Sequence, residues 1–386
     1  MPDIDAVSAF LTERHAALAL EVEEFVRREL VPLPHVDDDD GARAQARVLV
    51  ERLGRAGLVG AAHPLDLRAC CLIRESLARE SPLADEVFAL QCLGSTPIAL
   101  GGSEELKARY LPRVLAGEWM AAFAMTEPEA GSDVASLTTS ARRDGDSYVL
   151  DGKKTLISNA GIADFYTVFA KTDAAAGHRG ISCFVVDADT PGLSFDRALV
   201  LSAPHPLGEI SFDACRVPAS RRVGSEGAGF RLGMSTLDSL RATVAAAACG
   251  MAERALDEAL AHVTRRSQFG APLSELPLVQ QRLASMSLEL TASRLLVYRA
   301  AAAKDAGKER VSLESAMAKA YATEAAQRIV DSAVQLSGGR GVLRDSVVDH
   351  LYRAIRPLRI YEGTTDIQYV VIARALLKAR QAASER

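Results

Sequence analysis

Long apolar runs are missing from this sequence of 386 residues. No stretch of about 18 apolar residues occurs, so no membrane span is expected. An excess of basic charge is missing as well. Lys and Arg number 45 against 50 Asp and Glu, a formal net charge of -5, which disfavours a nucleic-acid partner. The start, Met1-Pro2-Asp3-Ile4-Asp5, lacks a basic segment followed by an apolar one, so no secretory signal is expected and the reading is cytoplasmic. Paired cysteines are absent. Cys70, Cys71, Cys92, Cys183, Cys215 and Cys249 form no C-x-x-C pair, and most lie in apolar runs. Reduced core thiols fit them better than metal ligands or a disulfide frame. The histidines form no H-x-H or H-x-x-x-H cluster, so no catalytic metal is expected. What remains is the composition of a soluble globular protein, 48% hydrophobic and 25% charged. The length suits two or three packed units.

Along the chain the texture is helical, then β, then helical. From about Ala6 to Ala121 the apolar spacing is helical, and Leu18, Val22, Phe25, Val26 and Leu30 share one face. Pro32 and Pro34 end that helix. The acidic run Asp37 to Asp40 has no ligand-like spacing and reads as a solvated loop rather than a cation site. From about Phe123 to Gly224, β-branched and aromatic residues alternate with polar ones around Tyr148 to Leu150, Phe165 to Phe169, Cys183 to Val186 and Ile210 to Phe212. Turn signals at Asp144-Gly145, Asp151-Gly152 and Thr190-Pro191-Gly192 separate them. Short strands between turns predict an antiparallel barrel or sandwich. After about Gly229 the helical texture returns. Arg241 to His262 is nearly continuous in alanine and leucine, which lets backbones approach closely, and Leu276 to Lys304 and Ser312 to Leu336 are long enough for a bundle. No internal repeat or low-complexity linker interrupts the chain. The expected fold is α+β: an N-terminal helical domain over residues 1–121, a central β domain over 122–228 and a C-terminal helical bundle over 229–386.

Five segments carry candidate chemistry, and each by itself admits a plain structural reading. In Met125-Thr126-Glu127-Pro128-Glu129-Ala130-Gly131-Ser132-Asp133, hydroxyls and an open glycine backbone could meet a polar ring edge, or the segment is only a turn. Lys153 to Gly161 could present Ser158 to a cofactor, or is only a hairpin. Arg266-Ser267-Gln268-Phe269-Gly270 could bind a pyrophosphate, or close a helix with basic residues and a glycine. Gln335-Leu336-Ser337-Gly338-Gly339-Arg340-Gly341 exposes backbone amides suited to a phosphate or adenylate. Its spacing is not G-x-G-x-x-G and no strand precedes it, so a Rossmann site is excluded. In Ile360-Tyr361-Glu362-Gly363-Thr364-Thr365-Asp366-Ile367-Gln368, one carboxylate sits among apolar neighbours before a helix that Thr364 or Thr365 could cap. Burial would raise its pKa and make it a base near neutral pH, or it is an ordinary helix-entry glutamate.

In this order the five segments resemble the acyl-CoA dehydrogenase family, from about Leu106 to the C-terminus. The earlier helices are similar in texture only. The resemblance implies a four-helix bundle as the C-terminal domain, FAD as cofactor and a homotetramer built as a dimer of dimers. It places Phe123, Met125, Thr126, Gly131 and Ser132 at the flavin, with Ser132 also near substrate, and Leu156 and Ser158 at the isoalloxazine ring. Arg266, Gln268 and Phe269, with Gln335, Gly338 and Gly339, would reach the FAD of a neighbouring subunit. Thr364 and Asp366 would also hold FAD. Asp238, Arg241, Tyr361 and Gly363 would face the substrate. Glu362 would remove the α-proton of an acyl-CoA while a β-hydride passes to flavin N5. Its backbone N–H and a ribityl hydroxyl would polarise the thioester carbonyl. Electrons would then pass to an electron-transferring flavoprotein. Relatives that carry the base one position before Arg241 have an acid where this chain has Leu240.

The sequence departs from the family pattern in places. Leu156 stands where an aromatic residue usually covers the flavin, and Ser158 where a threonine is usual. Leu276-Pro277 replaces a polar contact. A Tyr-Gly-Gly segment is missing between Gly60 and Arg74, and Leu201 to Gly208 is short. The implied role is in fatty acid metabolism. A carrier-protein thioester as substrate and a flavin oxidase or oxygenase on the same scaffold are the alternative enzymes. A non-catalytic helical assembly protein is the alternative outside enzymology.

Overall fold

The computed structural model describes residues 4–384, so Met1, Pro2 and Asp3, on which the expectation of no secretory signal partly rests, lie outside the described residues. Five helices come first: α1 Glu13–Phe25, α2 Asp39–Arg55, α3 Leu67–Glu80, α4 Pro82–Gly101 and α5 Glu104–Leu115. Strands follow: β1 Ala121–Ala124, β2 Ser140–Asp144, β3 Ser147–Ser158, β4 Phe165–Lys171, β5 Ile181–Asp187, β6 Leu193–Ala198, β7 Leu207–Pro218 and β8 Arg222–Val223. The last part holds α6 Gly229–Arg265, a small hairpin of β9 Ser267–Gln268 and β10 Ala271–Pro272, then α7 Pro277–Asp305, α8 Ser312–Ser337, α9 Val347–Ile355 and α10 Thr365–Ser384. The expected order of helices, sheet and helices is therefore present. No described helix is long and apolar enough to cross a membrane.

By packing, the chain divides into two compact units. One holds the described residues up to Leu33, Leu65–Asp85 and the chain from Asp238 onward; the other holds Pro34–Pro64 and Glu86–Leu237. The sheet belongs to the second. Its strand order is β6-β7-β3-β2-β4-β5-β8, with β1 paired to β4. The expectation of a barrel is corrected here: the sheet is open. A closed barrel needs a ladder running all the way round. Strand β6 pairs only with β7 and is exposed over most of its length, and β8 spans two residues and pairs only with β5. The sheet is also not purely antiparallel, because β1 runs parallel to β4. One face buries Tyr148, Leu150, Val168, Phe184, Ile210 and Val217. Gly94 of α4 lets that helix approach closely, since a Cβ there would stand 2.7 Å from the Ala121 Cβ. The acidic run is corrected too. Only Asp37 stays in the loop: Asp38 caps α2 by accepting from the Gly41 N–H at 2.7 Å, and Asp39 and Asp40 begin the helix, with Asp39 paired to Arg43. Carboxylates are favoured there by the helix dipole.

In the helical unit, Val22, Phe25 and Leu30 are buried as the periodicity expects. The long helix α6 runs 37 residues, and Ala242 and Ala245 to Ala248 are fully buried along it. Small residues there permit backbone contact. A Cβ at Gly250 would stand only 2.0 Å from the Glu75 carbonyl oxygen of α3. The Glu75 carboxylate accepts from Arg294 Nε at 2.6 Å and from the Tyr298 hydroxyl at 2.8 Å, while Arg294 also pairs with Glu253 at 2.7 Å. Buried charges are tolerated when paired and hydrogen-bonded in this way. All six cysteines are buried and free, as core thiols should be. Gly250→Ala should push α3 and α6 apart and destabilise the protein by about 1–3 kcal/mol. The check is a lower urea midpoint with the helical circular dichroism retained; an unchanged midpoint would mean that the helices yield freely.

Candidate active site

The segment around Glu362 links a short 3-10 turn, Arg356–Arg359, to α10. Thr364 provides the cap, its hydroxyl accepting from the Ile367 N–H at 3.3 Å, while Thr365 instead donates to Glu324 at 2.8 Å. Glu324 also accepts from Arg359 at 2.7 Å, so one carboxylate of α8 ties both ends of the segment. Between those ends the backbone is left-handed at two consecutive residues, with φ of +53° at Glu362 and +89° at Gly363. Such a conformation costs about 1–3 kcal/mol for a non-glycine residue and persists only where the surroundings enforce it. They do. Lys319 Nζ, buried on α8, donates to the Gly363 carbonyl at 2.7 Å, and Gln368 Nε2 donates to the same oxygen at 2.8 Å and to the Glu362 carbonyl at 3.3 Å. A side chain at position 363 would collide with Gln368, its Cβ only 2.6 Å from Nε2.

Glu362 is half-buried, and its Oε2 is shielded from solvent and has no hydrogen-bond partner. Burial raises its pKa above the ordinary carboxylate value; Arg74, Arg241 and Lys319 pull the other way, and Asp85 adds to the rise. Lys319 answers in kind. Burial brings it down to about 8, with Glu362 as the nearest opposing influence. Arg74 of α3 is itself held, with Nε and Nη2 on the two oxygens of Asp85 at 2.7 and 2.9 Å and Nη1 on Thr243 at 2.9 Å. Arg241 of α6 donates to Asp238 at 2.6 Å, and Asp238 accepts from Ser312 at 2.5 Å. The expected Asp238–Arg241 pair is thus assembled, with Arg241 Nε buried and unpartnered. Leu240, beside it, is buried and offers no acid. Together these cations oppose the rise that burial gives the Glu362 pKa without cancelling it.

In the sheet unit the segment after β1 is also pinned. Lys154 Nζ donates to the Met125 carbonyl at 3.1 Å and to Glu127 at 2.8 Å. Glu127 accepts further from Thr138 and Thr139. Burial works against the Glu127 carboxylate, but Lys154 and these donors outweigh it and bring its pKa to about 2. Met125 is buried, Phe123 and Thr126 are half-buried, and Gly131 and Ser132 are exposed. Phe123 packs on Phe169 with ring centres 4.9 Å apart. In β3 the register shifts between Lys154 and Ile157, and there Leu156 takes a left-handed φ of +55° and is 56% exposed. Ser158 is half-buried at the strand's end, and its Oγ lies 2.8 Å from His205 Nε2.

The remaining candidates lie on the surface of the helical unit. Arg266 follows α6, and β9 and β10 turn tightly at Phe269 and Gly270, with φ of +56° and +83°. Phe269 at the tip is 94% exposed. Gln335, Gly338 and Gly339 are exposed at the end of α8. These two segments share one electrostatic neighbourhood: the pKa of His262 falls through burial and then through the charges of Arg266, Arg340 and Arg265. Asp366 is exposed in the first turn of α10. Sequence reasoning missed Lys319, Arg74, Gln368, Lys154 and His205. Nothing in their spacing marks them: packing between elements brings Lys319, Arg74, Lys154 and His205 to their places, and Gln368 acts by folding back on the turn five and six residues before it.

Most of the chain matches family models in three consecutive pieces: the acyl-CoA dehydrogenase N-terminal domain over residues 12–118, middle domain over 122–215 and C-terminal domain over 227–377. It is 38% identical to a 3-(aryl)acrylate reductase of Clostridium sporogenes over 96% of this chain and 100% of that one. Among solved structures it is similar to a chain in the structure of the electron transferring flavoprotein of Acidaminococcus fermentans, with a TM-score of 0.90 and 35% identity, covering 95% of this chain and 98% of that one. It is likewise similar to a glutaryl-CoA dehydrogenase of Mycobacterium smegmatis in complex with FADH2, with a TM-score of 0.87 and 28% identity over 96% of both chains.

The clamp on Gly363 gives a direct test. Lys319→Met removes both the hydrogen bond and a cation that favours the ionised form of Glu362. The carboxyl group should therefore keep its proton to higher pH than in the parent. Infrared titration of the carboxyl band, assigned by its loss in Glu362→Gln, reads this; a midpoint unmoved or moved downward would remove Lys319 from the account.

Proposed function

The chain belongs to the acyl-CoA dehydrogenase family, and from that premise we propose that it desaturates an acyl thioester between the α and β carbons with Glu362 as the base. It is a flavoprotein oxidoreductase with FAD as cofactor. The observation that carries the proposal is the enclosed, partnerless Oε2 of Glu362 with its raised pKa beside three buried cations. The residues also fit the cofactor. Arg265, Arg266 and Arg340 concentrate positive charge at His262, as a pyrophosphate requires, and a Cβ at Gly131, Gly338 or Gly339 would meet nothing within 4 Å. In the sheet unit Phe123, Met125, Thr126, Gly131, Ser132, Leu156 and Ser158 would meet FAD. In the helical unit Arg266, Gln268, Phe269, Gln335, Gly338, Gly339, Thr364 and Asp366 would do so.

When bound, FAD supplies the acceptor for the β-hydride. Glu362 takes the α-proton on Oε2, and its burial favours the neutral acid so formed. Arg74, Arg241 and Lys319 favour its ionised form against the rise that burial gives its pKa. The Glu362 N–H has no partner among the described residues and is free to donate to the thioester carbonyl. Lys319 and Gln368 hold the carbonyls of Glu362 and Gly363 and so fix the backbone that follows that N–H. Asp238 and Arg241, with Tyr361 and Gly363, would line the substrate side. The chain's three-part division at about residues 121 and 228 follows the family reading.

An electron-transferring flavoprotein is the proposed electron acceptor, supported by the likeness to a chain solved in such a structure. A homotetramer is proposed because the helical unit exposes large apolar side chains, Phe269 at 94%, Leu278 at 78%, Leu288 at 71% and Leu377 at 65%. Whether CoA or a carrier protein bears the acyl group is read by anaerobic flavin bleaching with each. The exposed Leu156 favours an oxidase as the second reading, since leucine covers less ring than an aromatic residue.

Glu362→Gln keeps the backbone N–H and the shape but cannot take a proton. Flavin should stay bound and thioester should still perturb its spectrum, while flavin reduction slows by on the order of 10²–10⁴. Reduction near the parent rate under anaerobic stopped flow would end the assignment. For the second reading, Leu156→Trp should slow reoxidation of reduced flavin by air several-fold, and an equal or faster reoxidation would remove the oxidase argument.

A further inference from the structure

The segment that leaves β1 is held by a buried charge that the reading so far gives no task. Lys154 of β3 is fully buried, and its Nζ donates to the Met125 carbonyl at 3.1 Å and to Glu127 Oε1 at 2.8 Å. The direction of both bonds is set by the groups, since a carbonyl or carboxylate oxygen only accepts. Burial brings Lys154 down to about 8, and charged or neutral it still donates to the carbonyl. Glu127 does not depend on Lys154 for its place. Its Oε1 also accepts from the Thr139 N–H at 3.0 Å, and its Oε2 accepts from the N–H and the hydroxyl of Thr138. Apolar residues of the same volume would anchor the strand as well as a buried ion pair does. What they could not do is hold a carbonyl.

The C=O and N–H of a planar trans peptide unit point opposite ways. The Met125 carbonyl and the Thr126 N–H belong to one such unit. With the carbonyl turned in to Lys154, the Thr126 N–H is turned away from it, and it has no partner among the described residues. The next unit is held as well. The Thr126 carbonyl accepts from the Thr155 N–H at 3.1 Å, and the Glu127 N–H donates to the Ala130 carbonyl at 3.1 Å. The Met125–Thr126 unit therefore cannot turn over without losing Lys154. We propose that Lys154 is a positioning residue which, by holding the Met125 carbonyl, fixes the Thr126 N–H as a hydrogen-bond donor to the flavin ring. This rests on the proposed placement of Thr126 at that ring. The polar edge of the oxidised ring is rich in acceptors, and reduction adds electron density there. A preset donor is therefore worth more to the reduced cofactor than to the oxidised one. Lys154 thus raises the midpoint potential without touching flavin or substrate.

The test is the midpoint potential of FAD in the holoenzyme, measured spectroelectrochemically beside the urea midpoint, for the parent, Lys154→Met, Glu127→Gln and Thr126→Ala. Lys154→Met releases the peptide unit, so the potential should fall. A tenfold change in the reduction equilibrium is expected, about 30 mV for a two-electron couple, while thioester still perturbs the flavin spectrum. Glu127→Gln breaks the charge pair but leaves the carbonyl held, so it should lower the urea midpoint and keep the potential near that of the parent. A merely structural pair would lower the urea midpoint in both variants and separate their potentials in neither. If Lys154→Met does not fold, the double variant Lys154→Met with Glu127→Leu, which buries no unpaired charge, is measured in its place with the same expected fall. A potential unmoved or raised when Lys154 is replaced overturns the inference, as does an equal fall in Glu127→Gln. Thr126→Ala tests the placement separately, through the FAD dissociation constant, the flavin spectrum and the potential. If it leaves all three unchanged, the placement of Thr126 at the ring fails and takes the inference with it. A change there with none on replacing Lys154 overturns the inference alone.

Discussion

One oxygen of Glu362, Oε2, is shielded from solvent without a hydrogen-bond partner, and the helical unit is organised around that exception. An isolated buried charge is costly and would ordinarily take up a proton. Here Arg74, Arg241 and Lys319 approach it from α3, α6 and α8, so three helices each contribute a cation. None of the three is itself free to collapse onto it. Asp85 and Thr243 hold Arg74, Asp238 holds Arg241, and the Gly363 carbonyl holds Lys319. Charge is thus supplied as a field rather than as a contact. A direct ion pair would pull the pKa down strongly, whereas a field at a distance opposes the rise from burial without cancelling it.

Strain marks the same places. Among the described residues five non-glycine positions have positive φ: Leu156, Asn159, Ala214, Phe269 and Glu362. Three of them belong to the candidate site. Each is fixed by a different device: a register shift in β3, the tight β9–β10 turn, and the Lys319–Gln368 clamp on the backbone beyond Glu362. Left-handed backbone turns a side chain away from the direction its neighbours take. In β3 this leaves Leu156 exposed while Lys154 points inward to Glu127. One strand thereby shows an apolar surface outside and anchors the Met125 segment inside.

The sequence by itself determined the order of helices, sheet and helices, the long Ala-rich α6 and the buried cysteines, and it singled out Glu362 as the candidate base. These follow from local signals: apolar periodicity, turn residues, and one carboxylate in an apolar segment ahead of a capped helix. Local signals could not decide whether the sheet closes, since alternation along β6 and β8 is silent about which strands meet. They also misread Asp37 to Asp40, where charge density concealed the cap of α2. Only the tertiary structure brought forward Lys319, Arg74, Gln368 and His205. Lys319 lies 44 positions from the carbonyl it holds, and His205 lies 47 positions from Ser158. A lysine within an alanine-rich helix, or a histidine between two prolines, carries no pattern of its own. Its role exists only once packing has removed water and set a partner within hydrogen-bond reach.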